Sequence, residues 1–302
     1  MKKLKAIVSA LLVVVSIFAF TACDATFNGN FKEEATEEQL TQIKSAAGSS
    51  YSEAIEEEEG HGWVSKVNYE ASMQLTDTPY TVAVKSESQI GVDKDNKAQY
   101  AVKADLTMNG NKANVATYAK DGDLYVKVND KQGKVTTALT GQLADIKEMS
   151  YVDEVLKIAN QALGYVTTEG TASVETPAVK VYVDASGDTF KIKYVFDKDA
   201  ISGQYSGLID GADAQVTWKS SEQSVIVVYN KDLTKLKGIK VVSDYSFSVT
   251  DGEDQFSVSY KINASVESTN KAVKYPNLSK YEDLKPSDIL EMGAELAKLA
   301  GM

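Results

Sequence analysis

The sequence predicts an α+β protein built on one large, strongly curved antiparallel β-sheet, a half-barrel, with a few covering helices. From Trp63 onward, the spacing of apolar residues changes from the helical period of 3.6 to the strand period of 2. Two-residue turn signals, Asn109-Gly110 and Asp121-Gly122, separate successive alternating runs. The pattern predicts about twelve or thirteen strands but only three or four helices.

The first residues have the pattern of an export signal. Lys2, Lys3 and Lys5 precede an almost unbroken apolar run over residues 6–20. A positive segment, an apolar stretch of about 15 residues and a small residue at the cut are typical of a secretory signal peptide. The run is shorter than the roughly 20 apolar residues that a membrane-spanning helix needs. We therefore expect a signal peptide over residues 1–22.

Cys23 directly follows this signal and is the only cysteine among 302 residues. Phe20-Thr21-Ala22-Cys23 resembles the bacterial lipobox, in which diacylglycerol is attached to the cysteine sulfur and cleavage frees the amine. Two acyl chains hold a protein stably at a bilayer, whereas one chain does not. The sequence therefore predicts a lipoprotein that is lipidated at Cys23 and anchored at the extracytoplasmic face of a cell membrane. The alternative is an ordinary secreted protein.

The mature chain begins with a short polar segment, residues 23–32, which predicts a tether between the lipid and the folded body. Thr36-Glu37-Glu38-Gln39 has the form of a capping box that opens a helix. Leu40 and Ile43 begin the apolar stripe of this helix, which continues at helical spacing to Ile55. Residues 33–302 are predicted to form one domain, and two similar halves, about 33–141 and 142–302, are one interpretation of the element order.

The remaining elements follow from the same patterns. A second helix is predicted from Ser150, and a final one is predicted to be capped by Ser287 and to carry Ile289, Leu290, Leu296 and Leu299 on its apolar stripe. Residues 198–211 fit either a short helix or a loop. The predicted strands lie near residues 67–75, 82–90, 100–108, 113–120, 123–129, 134–139, 171–175, 179–185, 189–197, 214–219, 224–229, 238–250 and 256–266.

The composition excludes several classes of function. The mature chain carries 29 lysines against 43 acidic residues, a net charge of −14, and such a surface repels nucleic acid. The chain has no arginine, one histidine and no cysteine besides Cys23, so we expect no enzyme, no metal site and no cofactor. His61 is interpreted as an exposed loop residue, residues 93–96 as a hairpin turn, and Trp218 as a core residue. The respective alternatives are a weak metal ligand, part of a calcium loop and a sugar-stacking ring.

The predicted sheet has one apolar face that must be covered. Twist makes a large antiparallel sheet curl, and three modest helices cover only part of its concave side. Small and pliable residues alternate inward, among them Ala71 and Ala264, and methionine adapts its shape to a ligand. The alternative is an ordinary filled core. The residues predicted to line a ligand cavity are Met73, Leu75, Ala104, Met108, Phe190, Tyr194, Val258 and Ile262.

The order of elements resembles that of the LolA/LppX-like bacterial lipoproteins of the Gram-positive type. The resemblance rests on the lipobox, the starting helix, the meander with its central helix, the hairpin at residues 119–127 and the closing Tyr275-Pro276 step. It implies a half-barrel whose apolar hollow holds acyl chains. The implied function is the binding or carriage of a lipid or other hydrophobic ligand near the membrane, without enzymatic activity. Two alternatives remain: a structural or adhesive surface lipoprotein without ligand, and a hydrolase of wall or extracellular polymer.

Overall fold

The computed structural model describes residues 24–46, 62–75, 78–92, 98–135, 179–196, 215–251 and 254–299. Cys23, His61 and residues 93–96 lie outside the described residues, as do the predicted helix from Ser150 and the predicted strand at 171–175. Three α-helices, one short 3₁₀ helix (Leu278–Lys280) and eleven strands are seen in the described ranges. The helices are α1 (Asp24–Phe27), α2 (Glu37–Ala46) and α3 (Pro286–Leu299). The strands are β1 (Gly62–Leu75), β2 (Thr78–Val92), β3 (Ala98–Met108), β4 (Asn111–Lys120), β5 (Asp123–Val128), β6 (Lys131–Val135), β7 (Val179–Asp184), β8 (Thr189–Phe196), β9 (Gln215–Asn230), β10 (Leu236–Asp251) and β11 (Asp254–Thr269).

All eleven strands form one antiparallel sheet in the order β6-β5-β4-β3-β2-β1-β11-β10-β9-β8-β7. The sheet curls strongly into a half-barrel, and the predicted α+β class with a large curved sheet is confirmed. Strands that are consecutive in the chain are neighbours within β1–β6 and within β7–β11, and the pairing of β1 with β11 joins these two meanders at the centre. The similarity of the two predicted halves stays a prediction.

Local turn chemistry fixes the register of the first meander. Asn109 and Gly110 have φ angles of 49° and 83°, and Asp121 and Gly122 have φ angles of 54° and 85°. Two successive positive φ angles are typical of the type I′ turn, whose twist matches that of the flanking strands. Both predicted hairpins are therefore confirmed. Asn129, at φ 51°, belongs to a third turn, which no sequence pattern predicted.

Two predicted boundaries are wrong. The runs at 214–219 and 224–229 belong to one strand of 16 residues, β9, which pairs with β10 along its length across a register shift between Ser246 and Phe247. The last helix begins at Pro286 rather than at a Ser287 cap. Proline suits a first helical position, and the Lys285 N–H donates to Asp288 Oδ2 at 2.8 Å.

Helix α2 begins as predicted. The Thr36 N–H donates to Gln39 Oε1 at 2.9 Å, and the Gln39 N–H donates to Thr36 Oγ1 at 3.3 Å. These reciprocal bonds are those of a capping box. The helix places Ile43 in the largest apolar core, which lies against β7 to β11.

Each end of the described chain passes around one edge of the sheet. At the β7 edge, the Ala35 N–H donates to the Val181 carbonyl at 2.7 Å, and α2 follows. At the β6 edge, the Lys134 N–H donates to the Glu282 carbonyl at 2.8 Å, and α3 follows. Unpaired edge strands invite association with other chains. Each edge strand is therefore contacted by the protein's own backbone at one bridge, Glu34 with Tyr182 and Asp283 with Lys134.

Candidate functional site

The sheet register defines an inner face, the residue series that contains Val84, Leu106, Val258 and Ile192. These side chains project to one side because alternate residues of a strand point to opposite faces, and paired residues in neighbouring strands share a face. The opposite series, which contains Lys85, Asp105 and Lys261, is the outer face.

The inner face carries no charge in eight of the eleven strands. In β1–β5 and β7–β9, its series contains only aliphatic, aromatic and small polar residues, and the charges in the series of β10 and β11 are Asp251 and Asp254, the last residue of β10 and the first of β11. Lysine, aspartate and glutamate alternate along the outer face instead. Burial of an unpaired charge is costly, so this segregation makes the inner face suited to apolar contact.

A helix lies on the inner face near each edge of the sheet. Ile43 of α2 packs in the core that includes Ile192 and Val227. At the other edge, Glu291 of α3 pairs with Lys131, and the side chain of Leu284 lies against Gly133. Lys131 and Gly133 both occupy inner-face positions of β6.

The inner face between these two helices is only partly covered by described residues. Val82, Val84, Val102 and Leu106 are half-buried there, whereas Ile192 at the α2 side is fully buried. We call the half-buried aliphatic residues on β2 and β3, together with Ala104, Met108 and Val258, the central strip. Apolar side chains that remain partly accessible on a concave face are typical of ligand sites.

All eight predicted cavity residues occupy inner-face positions by register, but they separate into three groups. Ala104, Met108 and Val258 are half-buried and belong to the central strip. Phe190, Tyr194 and Ile262 are at most 6 % exposed and pack in the core beside α2. Met73 and Leu75 lie on β1, where they pair with Val258 and Phe256 of β11.

A small polar group interrupts the apolar inner face. The Tyr245 hydroxyl donates to Gln223 Oε1 at 2.7 Å, and Ser243, the register partner of Gln223, is 4 % exposed. No sequence pattern predicted this group, although Gln223 is the polar residue that precedes the alternating run of Val225, Val227 and Tyr229 in the inner series. In ligand sites, a small number of polar groups among apolar side chains fixes the orientation of the ligand.

Buried tyrosines stay neutral over the ordinary pH range. Desolvation raises the pKa of Tyr229 to about 12, and it also raises the pKa of Tyr194, as does the nearby Tyr229. Neither hydroxyl therefore supplies a charge to the inner face near neutral pH.

The aromatic residues considered for sugar stacking pack against one another. The Trp218 ring centroid lies 4.8 Å from that of Phe247 and 6.2 Å from that of Tyr245. On the outer face, Tyr118 and Tyr281 meet edge to face at 6.1 Å, under the segment that follows β11. Edge-to-face pairs of this kind stabilise a packed cluster.

The described ranges contain no group of three or more His, Cys, Asp or Glu residues arranged to hold a metal ion. Among the helices in the same ranges, none has the length and apolar character required to cross a membrane.

Comparisons with known proteins give structural neighbours but no family. No family model matches the sequence, and no curated protein matches it significantly. LprF from Mycobacterium bovis aligns over 82 % of this chain and 99 % of its own, with 13 % identity and a TM-score of 0.29. A DUF1329 family protein from Desulfovibrio piger aligns over 76 % and 91 %, with 9 % identity and a TM-score of 0.17.

Proposed function

We propose that this chain is a lipid-anchored, extracytoplasmic lipoprotein that binds or carries an amphiphile on the inner face of its curved sheet. The single observation that carries the proposal is the central strip of the inner face, which carries no charge and stays half-buried between two helices. A chain with a net charge of −11 places its charges elsewhere. Acyl chains are the ligands that gain most from such a surface, at about 25 cal/mol per Å² of apolar area buried.

The polar group indicates the kind of headgroup. All three side chains are neutral; Tyr245 and Ser243 are buried, so the half-buried Gln223 amide is the member of the group that a ligand can reach. They offer no cation for a phosphate or carboxylate, and arginine is absent from the whole chain. An ester, amide or hydroxyl close to the acyl chains fits these groups, because neutral hydrogen bonds satisfy them without burying a charge. We therefore infer that the ligand is an amphiphile whose buried part is neutral.

The predicted lipid anchor would place the protein beside a source of such ligands. Lipidation of Cys23 would keep the protein beside a bilayer, which is the source of amphiphiles. The motif that predicts it, Phe20-Thr21-Ala22-Cys23, follows a signal-type segment. The anchor and the inner face serve one function under this proposal.

The test uses protein secreted behind an ordinary signal with Cys23→Ser, so that every recovered lipid is non-covalently bound. Its organic extract is analysed by mass spectrometry beside those of Leu106→Glu and Thr107→Glu. These are neighbours on opposite faces of β3, and Leu106 belongs to the central strip. We expect one amphiphile class in the parent and in Thr107→Glu, and at least about a tenfold loss in Leu106→Glu, which corresponds to 1.4 kcal/mol.

An empty extract from the parent, together with no binding of a fluorescent fatty-acid ester, would contradict the proposal. The protein would then fit the structural or adhesive alternative. Equal ligand content in the two glutamate variants would place the ligand away from the inner face.

A further inference from the structure

The segment predicted as a tether is packed on the outer face of the sheet. Phe27, in α1, is 2 % exposed and forms a cluster with Ile226 and Val228 of β9. Gly238 makes room for it, since a Cβ there would lie 3.0 Å from Phe27 Cζ. Burial of a phenylalanine side chain contributes about 1.5–3 kcal/mol, so this contact opposes release of the segment.

Polar contacts hold the same segment on both sides of Phe27. Thr26 Oγ1 donates to the Glu267 carboxylate at 2.5 Å, and the Asn30 N–H donates to Asp184 Oδ2 at 2.9 Å. Lys191 Nζ also donates to the Asn28 carbonyl. These partners lie on β11, β7 and β8. Residues 24–31 are therefore held against the sheet by contacts to three strands, and we call this set of contacts the clamp.

The clamp leaves almost no free chain between the predicted anchor and the folded body. Cys23 is the residue directly before α1, and Thr26 already contacts β11. Extended chain spans about 3.5 Å per residue, so the lipidated residue stays within roughly 10 Å of that contact. A bilayer that holds the acyl chains must approach this part of the sheet.

The part of the sheet near the clamp is basic. We define the basic end as residues 184–191, 231–240 and 267–275, which hold the β7–β8 turn, the β9–β10 turn and the end of β11. These segments contain seven lysines against four acidic residues, in a chain whose net charge is −11. Each lysine close to an anionic lipid surface contributes about 1 kcal/mol of attraction.

The opposite end of the sheet has the opposite charge. We define the acidic end as residues 109–112, 128–131 and α3, together with Asp251 and Asp254. It contains three lysines against six acidic residues. On the β7–β11 side of the sheet, the end where the anchor emerges is thus positive, whereas the β4–β5 turn at the same end of the sheet adds one lysine, Lys120, and two acidic residues, Asp121 and Asp123.

We propose that the basic end rests on an anionic lipid bilayer and that the acidic end points away from it. The inference rests on lipidation of Cys23, not on binding of an amphiphile by the inner face. The short link from Cys23 to the clamp sets the distance between the sheet and the bilayer. The lysines of the basic end determine that this end faces the lipid. The strands then stand away from the membrane, with the inner face reaching from the lipid surface outward.

The test uses single-cysteine labelling of the full, lipidated chain in phosphatidylglycerol–phosphatidylcholine vesicles. The Cys23 sulfur is consumed by the thioether, so an introduced cysteine is the only free thiol. Asp188→Cys and Asn270→Cys place a fluorophore at the basic end, Asp130→Cys at the acidic end and Lys261→Cys on the outer face, all at exposed positions. The quencher is a lipid with a nitroxide on its headgroup.

We expect the label to lose most of its fluorescence at residues 188 and 270 and to keep it at 130 and 261. Strongest loss at 261 would mean that the membrane lies along the outer face, and it would overturn the proposal. Equal loss at every position, or recovery of protein without acyl chains, would overturn it as well. A failed search for bound amphiphile would leave this result unchanged.

Two controls separate the clamp from the charge. A Gly-Ser insertion of about ten residues between Cys23 and Asp24 gives a root-mean-square reach of about 18 Å. It is therefore expected to abolish the difference in quenching between the labelled positions. Lys271→Gln with Lys274→Gln is expected to reduce quenching at residue 188 in anionic vesicles. Lys112→Gln with Lys298→Gln, the matched pair at the acidic end, is expected to leave it unchanged. Equal effects of the two pairs would contradict the role of charge.

Discussion

A Cβ atom on Gly133 would lie 2.8 Å from the main-chain oxygen of Glu282 and would overlap the side chain of Leu284. The contact is this close because the segment 282–284 pairs with β6, with Lys134 N–H and carbonyl bonded to Glu282 and Leu284. A glycine in β6 is therefore what lets the chain cross the sheet edge and place α3 on the inner face.

Gly133→Ala is expected to destabilise the protein by about 1–3 kcal/mol, the usual cost of forcing extra volume into a packed site. Gly187→Ala is the matched control, because nothing lies within 4 Å of the added Cβ and the backbone φ is ordinary. It is expected to change stability by less than about 1 kcal/mol, in the stabilising direction. Urea unfolding checks both variants, and equal midpoints would show that the segment 282–284 yields freely.

Asp184 makes the clamp on residues 24–31 sensitive to acid. The Ser186 hydroxyl, the Asn30 N–H and the Ser186 N–H donate to its carboxylate and lower its pKa from 3.8 to about 2. A folded-state pKa below the unfolded one adds stability that is complete above the unfolded value and is lost as pH falls through the folded one. The stability difference between wild type and Asp184→Asn should therefore be constant above pH 4 and should shrink between pH 4 and 2.

The measurement is urea unfolding of both proteins across that pH range. A difference for Asp184→Asn that grows on acidification would contradict the assigned bonds.

Helix α3 buries a different stripe from the one its pattern predicts. Met292 and Leu299 are buried, whereas Leu290 is 74 % exposed and Ile289 is 46 % exposed. Met292→Ala is therefore expected to cost about 2–5 kcal/mol, and Leu290→Gln is expected to stay within about 0.5 kcal/mol. Thermal or urea unfolding of the two variants checks the order, and a larger loss for Leu290→Gln would reverse the assigned faces.

This difference shows where local patterns stop being informative. Ile289, Leu290, Leu296 and Leu299 are the most hydrophobic residues of α3, and the amphipathic pattern alone assigns them to the core. The buried stripe instead passes through Asp288, Met292 and Glu295, because the helix is held at the sheet by Lys131–Glu291 and by Asn129–Glu295. Contacts between residues more than 150 positions apart are not visible in a local window.

The turns were predictable for the opposite reason. Asn109-Gly110 and Asp121-Gly122 adopt positive φ angles that few other residues tolerate, so two residues determine each hairpin. The continuity of β9 was not predictable, since Ser220 to Gln223 interrupt its apolar run and stay in the strand through pairing with β10. The docking of Phe27 was hidden in the same way, as one aromatic residue in a polar segment.

The alternation of the strands did predict which residues share the inner face, but not which of them are covered. Alternation assigns Ala104 and Tyr194 to one face, and the register agrees. Long-range packing separates them, because Tyr194 is buried in the core that includes Ile43 of α2, whereas Ala104 stays half-buried. The candidate site is therefore the part of the predicted set that long-range packing leaves accessible.

Ala104→Trp tests whether the central strip holds a ligand or merely completes the core. If an acyl chain lies against Ala104, the indole of the variant occupies the place of that chain. The amount of bound amphiphile should then fall by about tenfold or more, which corresponds to a loss of about 1.4 kcal/mol in binding free energy, while the free energy of unfolding changes little. If the strip is packed by protein, overpacking should cost about 1–3 kcal/mol instead. Lys103→Trp, on the outer face of the same strand, is the control and should change neither quantity. Mass spectrometry of the extract and urea unfolding of the same samples distinguish the two outcomes, because a destabilised variant with unchanged ligand content would contradict the carrier proposal.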